Sequence, residues 1–291
     1  MALPAYPDSR PLSLHDKPLL DGIFRQLQPR ISEFTFANLF LFRTVHDYRL
    51  TNAADSLVIL GKGYGGEEYF LPPLGGDAGR ALAPLFQDRR SLYGADERFA
   101  ATFLGDELVL TEDRDNFDYL HLRRELAELP GNRYHKKKNR INYFASRHLF
   151  MTELYSEKFR EGCLRFLDEW ERVHVLGEGE SLGSEVEADR EALGMAVLLG
   201  LAGIVVLVDG EVRGFALGEK LNDDTSVCHF EKADPFLEGI YQLLDREFNR
   251  QLFTECTYVN REQDLGVPNL RKSKLSYHPV ALVKKFRAVV K

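Results

Sequence analysis

Three short strands joined by two tight turns decide the fold of this chain, and they lie in the stretch Gly203-Ile-Val-Val-Leu-Val-Asp-Gly-Glu-Val-Arg-Gly-Phe-Ala-Leu-Gly-Glu-Lys-Leu-Asn-Asp-Asp-Thr-Ser-Val-Cys-His-Phe-Glu-Lys232. The pair Asp209-Gly210 is a strong signal for a two-residue hairpin turn. The polar residues from Asn222 to Thr225 predict a second turn. The stretch therefore predicts three consecutive antiparallel strands.

The segments on either side of these strands complete a recognisable order of elements. Residues 156–173 carry apolar side chains at helical spacing, and residues 186–201 predict a second helix. After the strands we expect a helix at 239–253, a strand at 257–260, a short helix and a last strand within 280–290. This is the order of the Gcn5-related N-acetyltransferase (GNAT) fold. The first half of the chain is interpreted as a looser copy of it. In that half we expect a buried helix at 33–42, with Ser32 as its cap, and a hairpin formed by residues 98–104 and 107–110.

The predicted fold class is therefore α/β (α+β), with tandem acetyltransferase (GNAT)-like domains and mixed, mostly antiparallel sheets. The domains are expected at residues 1–145 and 146–291. The glycine-rich segment from Gly61 to Gly66 matches the dinucleotide pattern G-x-G-x-x-G. Because it leads into a strand instead of opening a helix, the interpretation that we favour is a hairpin loop.

Composition indicates a cytoplasmic globular protein. The 291 residues carry a net charge of −7 and are 44% hydrophobic, which suits one or two domains. Three widely spaced cysteines and scattered histidines predict neither a disulfide framework nor a metal site. The apolar run 192–208 becomes β-branched midway, so we expect a buried helix and strand there, with no transmembrane segment. The N-terminus has no signal-peptide pattern.

Two basic clusters stand out in this acidic chain. The first runs from Arg133 to Arg140, and the second contains Arg271, Lys272 and Lys274. Concentrated positive charge favours an anionic ligand such as a phosphate, although a solvated basic helix start is the alternative for the first cluster. The predicted substrate- or anion-binding residues are Arg133, Lys136, Lys137, Lys138, Arg140, Lys232, Asn260, Asp264, Arg271, Lys272 and Lys274.

Four segments, residues 32–39, 129–144, 229–234 and 258–277, resemble one bacterial family. Its uncharacterised members share their domain with the C-terminal part of phosphatidylglycerol lysyltransferases and are related to the Fem peptidoglycan aminoacyltransferases. The resemblance implies a tandem acetyltransferase-like fold. In the lysyltransferases, an aminoacyl group moves from tRNA to a lipid hydroxyl at a site where two domains meet.

Acyl transfer needs a positioned donor, a proton acceptor and a group that stabilises the oxyanion. Glu231 ends the third strand and is the predicted base or amine-orienting group, with a surface Glu-Lys pair as the alternative. Arg261 and Glu262 are expected to face the same cleft, with an internal Arg–carboxylate network as the alternative. Tyr277 is the predicted general acid or stacking group, and its alternative is a packing role.

The segment Ala233-Asp-Pro-Phe-Leu-Glu-Gly239 occupies the position where coenzyme A users of this fold carry a glycine-rich pyrophosphate loop. It has one glycine, and Asp234 and Glu238 oppose phosphate binding at the following helix start. We therefore expect no bound cofactor, disfavour acetyl-CoA and favour aminoacyl-tRNA as the donor.

These features together predict an acyl- or aminoacyl-transferase that acts on an amine or hydroxyl acceptor in a cleft between the two domains. The alternative is a non-catalytic module of the same fold that binds a phosphorylated ligand, a lipid head group or RNA. Expected partners are an anionic small molecule or tRNA, and a third interpretation is peripheral contact with anionic lipid. The sequence leaves the oligomeric state open.

Overall fold

The computed structural model describes residues 3–88, 90–174 and 180–291. Contacts group the chain into two compact units. The first contains residues 1–118, 263–268 and 282–291, and the second contains residues 119–262 and 269–281. The expected division at 145/146 stays a prediction. The contact grouping places residues 119–145 with the second unit and the last ten residues with the first.

The first unit contains a seven-stranded sheet with the strand order β1-β2-β3-β4-β5-β14-β6. Its strands are β1 (Arg10–Pro11), β2 (Arg49–Ala53), β3 (Ser56–Lys62), β4 (Glu68–Phe70), β5 (Ser91–Ala95), β6 (Leu108–Glu112) and β14 (Phe286–Val290). Its helices are α1 (Lys17–Leu27), α2 (Phe36–Leu41), α3 (Ala78–Gln87) and α4 (Glu97–Phe103). A buried core that includes Val58, Phe70, Leu85 and Leu92 lies on this sheet.

The second unit contains the other sheet, with the strand order β13-β7-β12-β11-β10-β9-β8. Its strands are β7 (Asp118–Leu122), β8 (Phe150–Leu154), β9 (Ala202–Val208), β10 (Glu211–Lys220), β11 (Thr225–Ala233), β12 (Tyr258–Asn260) and β13 (Ala281–Val283). Its helices are α5 (Arg123–Glu128), α6 (His135–Ala145), α7 (Glu157–His174), α8 (Glu180–Leu199), α9 (Ile240–Gln251) and α10 (Pro268–Leu275). Phe144, Ile204, Leu243 and Phe248 belong to its buried core.

A buried lysine in the first unit is surrounded by two carboxylates, and we call this group the Lys285 cluster (Glu33, Asp118 and Lys285). Nζ of Lys285 lies 2.6 and 2.7 Å from the two Glu33 oxygens and 2.7 Å from Oδ1 of Asp118. Ser32 donates to Asp118 through its backbone N–H at 2.8 Å and its hydroxyl at 3.1 Å. Glu33 also accepts from the hydroxyl of Tyr93 at 3.2 Å. The buried charges are thus paired and hydrogen-bonded, which is the condition under which burial of charge is tolerated.

Most of the predicted elements of the second half are confirmed. Strands β9, β10 and β11 form the expected antiparallel meander, and β12 joins β11 in parallel. The apolar run 192–208 is the end of helix α8 followed by strand β9, as expected. None of the described helices is long and apolar enough to cross a membrane.

Three predictions differ from the structure in the bounds or the type of an element. The helix expected from Glu33 begins at Phe36, because the hydroxyl of Thr35 caps it by accepting from the backbone N–H of Asn38. The hairpin expected at 98–110 is instead helix α4 followed by β6, because Asp96 caps that helix. The expected last strand is two strands, of which β14 pairs with β5 and β6 in the first sheet.

Candidate active site in the second unit

The site begins where two parallel strands stop pairing. Strands β11 and β12 are in register from Thr225↔Tyr258 to Val227↔Asn260, and β12 ends there while β11 continues to Ala233. After β12, the backbone N–H of Arg261 bonds to the carbonyl of Tyr119 on β7. Side chains that follow β12 can therefore turn toward the unpaired part of β11, where Glu231 lies.

Arg261 is the centre of a buried ionic group. Its Nη2 lies 2.7 Å from Oε2 of Glu231, and its Nη1 lies 3.2 Å from Oδ1 of Asp245 on helix α9. The guanidinium also lies over the ring of Tyr277, with its carbon 4.7 Å from the ring centroid. Burial is the largest single effect and by itself would lower the pKa of Arg261. The attraction of Asp245 and Glu231, together with smaller contributions, outweighs it and raises the pKa above its ordinary value. This side chain therefore carries a permanent positive charge.

Lys137 reaches the same place from helix α6. Its Nζ lies 2.7 Å from the hydroxyl oxygen of Ser276 and 3.7 Å from the centroid of the Tyr277 ring. Burial and the nearby Arg261 charge lower the pKa of Lys137 to about 8. We call these five residues, Lys137, Glu231, Asp245, Arg261 and Tyr277, the Arg261 cluster.

Two buried atoms of the Arg261 cluster make no hydrogen bond within the described part of the chain: Nη1 of Arg261 and Oδ2 of Asp245. Buried polar atoms in native structures nearly always have a partner, so an exception calls for an explanation. Burial also raises the pKa of Asp245 to about 7, and burial raises the pKa of Tyr277 well above its ordinary value. The cluster thus combines an acid and an amine that both titrate near neutrality, a phenol that stays protonated and a fixed cation.

The neighbouring residue Glu262 points to a different partner. It lies in a left-handed backbone conformation with φ of 54°, and its carboxylate contacts Nδ1 of His229 at 2.7 Å. Nε2 of His229 contacts Glu219 at 3.0 Å. Burial disfavours the charged imidazole, but the hydrogen bonds to Glu219 and Glu262 outweigh it and raise the pKa of His229 to about 10. His229 therefore links two strands to the loop after β12 as a buried cation.

Other predicted residues near the strand ends lie elsewhere. Lys232, next to Glu231 on β11, projects to the opposite face, where its Nζ contacts Glu185, lies 3.5 Å from Asp189 and lies 4.6 Å from the centroid of the Trp170 ring. Asp264 belongs to the first unit, where Arg114 pairs with it at 3.1 Å. We therefore find neither residue in the Arg261 cluster.

The remaining predicted residues form the surroundings of the site. Asn260 is buried and its amide oxygen accepts from the backbone N–H of Glu262. Lys274 donates to the carbonyl of Arg261, which fixes the backbone there. Arg271 is half-buried and Lys272 is exposed on the same short helix, α10.

The first basic cluster is divided between two directions. Lys137 points to the Arg261 cluster, whereas Arg133 pairs with Glu125 and Lys138 donates to the carbonyl of Gly131. Lys136 is exposed, and Arg140 lies 3.8 Å from Glu238. Helix α6 therefore contributes Lys137 to the Arg261 cluster, whereas Lys136 and Arg140 on the same helix are exposed to solvent.

Sequence reasoning missed Asp245 and His229. Asp245 follows Leu244 directly and lies between the buried positions Leu243 and Phe248 of helix α9, so a carboxylate on the inner side of an amphipathic helix was the available signal. His229 stands two residues before Glu231 on the same strand, but its carboxylate partners are distant in sequence. Among the described residues no group of three or more His, Cys, Asp or Glu side chains could hold a metal ion.

The chain has the fold of tandem acetyltransferase-like proteins. A tandem GNAT protein from the clavulanic acid biosynthesis pathway has the same fold, with a TM-score of 0.51, 12% identity and coverage of 96% of this chain and 97% of that chain. The predicted fold class is confirmed.

The family follows from a closer match. Residues 24–289 match the family model of the C-terminal domain of phosphatidylglycerol lysyltransferase, and the chain belongs to this family. The resemblance inferred from its sequence segments is therefore confirmed.

Two solved structures show the same fold. A conserved protein of unknown function from Bacteroides thetaiotaomicron is 30% identical, with full coverage of both chains and a TM-score of 0.91. L-PGS from Bacillus licheniformis is 13% identical over 100% of this chain and 94% of that chain, with a TM-score of 0.64. No curated protein matches the sequence significantly.

Proposed function

We propose that this protein is an aminoacyl- or acyl-transferase whose reaction takes place at the Arg261 cluster. The observation that carries the proposal is the pair of buried, incompletely bonded groups, Arg261 and Asp245, beside Lys137. Leaving a buried polar atom without a hydrogen bond costs roughly 1–3 kcal/mol. A ligand that bears both an ammonium group and a carbonyl oxygen would satisfy both of them.

The roles follow from the charges. Glu231 and Asp245 would hold the ammonium group of an aminoacyl donor, because two carboxylates beside one another attract a cation. Arg261 would stabilise the oxyanion that develops when the carbonyl is attacked. Tyr277 would keep the two cations in place by lying against both of them.

Lys137 would move the proton. In its neutral form, its amine accepts the proton of the attacking hydroxyl or amine while the new bond to the carbonyl carbon forms. Lys137 then gives this proton to the donor oxygen as the bond between that oxygen and the carbonyl carbon breaks, so the donor leaves as a hydroxyl. A pKa of about 8 makes the neutral form available at ordinary pH.

Aminoacyl-tRNA is our proposed donor, with the support of two features. The family to which the chain belongs bears the name of a phosphatidylglycerol lysyltransferase. In this chain, the connection before helix α9 carries Asp234 and Glu238 and has no basic residue, which does not suit a coenzyme A pyrophosphate. The acceptor is proposed only as an amine or a hydroxyl.

A binding panel tests the proposal. The purified protein is titrated with aminoacylated tRNA, uncharged tRNA, acetyl-CoA and phosphatidylglycerol micelles at two salt concentrations. We expect preference for aminoacylated over uncharged tRNA, and loss of that preference in Glu231→Gln but not in the exposed control Arg250→Gln. Equal binding of both tRNAs without turnover of the aminoacyl group would favour the non-catalytic module. Binding of acetyl-CoA alone would overturn the donor assignment.

A further inference from the structure

Helix α6 has a second, outward-facing side that the proposed reaction does not use. Lys136, Arg140, Tyr143 and Arg147 follow one another at spacings of four, three and four residues, which places them on one face of the helix and of the turn after it. All four are exposed, whereas Ile141 on the opposite face is buried. The helix sequence His-Lys-Lys-Lys-Asn-Arg-Ile-Asn-Tyr-Phe-Ala contains no acidic residue.

Two apolar side chains project beside this face. Phe236 is 77% exposed and Leu149 is 80% exposed. The connection that carries Phe236 packs closely on helix α6. A Cβ at Gly239 in this connection would lie only 2.1 Å from the carbonyl oxygen of Arg140. Phe236 is held there by a turn in which its backbone N–H donates to Asp234 at 2.9 Å. Leu149 follows Arg147 by two residues.

Nearby acids offset only part of the positive charge. Glu238 is exposed and lies 3.8 Å from Arg140. The guanidinium of Arg147 lies 3.8 Å from the centroid of the Tyr143 ring, so this cation is stacked on an aromatic ring and still reaches solvent. The surface therefore combines cations, an interfacial aromatic ring and protruding apolar tips.

We propose that this surface, formed by Lys136, Arg140, Tyr143, Arg147, Leu149 and Phe236, docks on an anionic lipid bilayer. Lys and Arg side chains are attracted to acidic lipid head groups, while Tyr and Phe rings and a Leu side chain partition into the interface. An RNA backbone fits less well, because it offers nothing apolar for Phe236 and Leu149. In addition, Arg147 already covers one face of the Tyr143 ring, on which a base would stack.

Docking needs no transfer chemistry, so it can be tested independently of the proposed reaction. The full chain is co-sedimented with vesicles of phosphatidylcholine and with vesicles of equal phosphatidylcholine and phosphatidylserine. Phosphatidylserine supplies negative charge without being the lipid in the family's name.

The variants are the triple Lys136→Gln, Arg140→Gln, Arg147→Gln and the single Phe236→Ser. The matched controls are the triple Arg124→Gln, Arg172→Gln, Arg250→Gln on other helices and Val197→Ser, which is 79% exposed on α8. Thermal melting checks that each variant is folded.

We expect binding to the anionic vesicles only, and it should weaken as salt is raised. Each cation contributes about a fivefold factor, so the triple variant should bind about 100-fold more weakly than its control triple. Phe236→Ser should weaken binding about tenfold at all salt concentrations, with Val197→Ser unchanged. The proposal is overturned if anionic vesicles do not bind, or if both triples bind equally. It is also overturned if the α6 triple weakens binding of a transfer RNA while vesicle binding is unchanged.

Discussion

Each of the two units contains a buried cation between two carboxylates, and the two groups differ in how completely they are bonded. In the Lys285 cluster, the lysine makes three short contacts, and Ser32 and Tyr93 supply further donors to the carboxylates. In the Arg261 cluster, Nη1 of Arg261 and Oδ2 of Asp245 make no hydrogen bond within the described residues. A completed network stabilises a fold, whereas an incomplete one beside titrating groups suits a ligand.

The largest effect is expected from Lys285→Met, which keeps the shape of the side chain and removes its charge. It leaves Glu33 and Asp118 buried without a cation, and the free energy of unfolding should fall by about 3–5 kcal/mol. Urea denaturation measures this loss. The adjacent Lys284→Met is the control, because the Lys284 side chain is 40% exposed and the change should stay within about 0.5 kcal/mol. Similar values for both variants would show that the Lys285 cluster is not a stabilising network.

The matching change, Arg261→Met, should mainly affect function. We expect aminoacyl transfer to fall by about 100-fold or more, because the oxyanion loses its fixed cation. The free energy of unfolding should fall by only about 1–2 kcal/mol, since Asp245 can take up a proton near pH 7 when the arginine is absent. Transfer assays and urea denaturation are compared with Arg250→Met. A loss of stability as large as that of Lys285→Met would mean that both clusters are structural.

His229 gives a smaller effect with a definite pH window. Its folded pKa of about 10 lies above its ordinary value of 6.5, so its contribution to stability is complete below pH 6.5 and is lost as pH rises toward 10. The wild type should lose stability with a slope of up to about 1.4 kcal/mol per pH unit in this window, and His229→Gln should have a smaller slope. Urea denaturation at a series of pH values measures both slopes. Parallel slopes would exclude the double hydrogen bond to Glu219 and Glu262.

The smallest effect concerns the pH dependence of transfer. If Lys137 accepts the proton, the rate should rise about tenfold as pH passes through about 8, because the neutral amine becomes the major form. Lys137→Met should be slow and should lack this inflection, whereas Lys138→Met should keep it. A pH profile of single-turnover transfer distinguishes the two. An unchanged inflection in Lys137→Met would assign the proton acceptor to another group, such as Asp245.

Some parts of the molecule could be predicted from the sequence and others could not. The strands from Gly203 to Lys232 were predictable because Asp209-Gly210 marks a turn, and because turns and strands are indicated by residues that lie close together in the sequence. Glu231 and Arg261 were predicted as site residues because charged residues at strand ends are easily recognised in a sequence. Asp245 was not, because its meeting with Arg261 depends on how helix α9 packs against β10 and β11, which is a tertiary property.

Local backbone features explain two other errors. Glu262 was expected beside Arg261, but the positive φ at Glu262 turns its side chain toward His229. The residues of helix α4 carry no long helical pattern, so the capping carboxylate of Asp96 decides their structure more than their periodicity does. Such caps and turns involve only three or four residues, so a prediction based on hydrophobic periodicity over a longer window easily misses them.

The position of β14 has a consequence for how the chain is made. This strand lies between β5 and β6, although about 170 residues of sequence separate it from β6 and about 190 from β5. On the ribosome, the first sheet emerges with a gap between β5 and β6, and every residue of the second unit is synthesised before the strand that fills it. The edges of β5 and β6 therefore have no partner in the nascent chain at this stage. Because unpaired edges invite association with other chains, the early protein should depend on chaperones until β14 arrives.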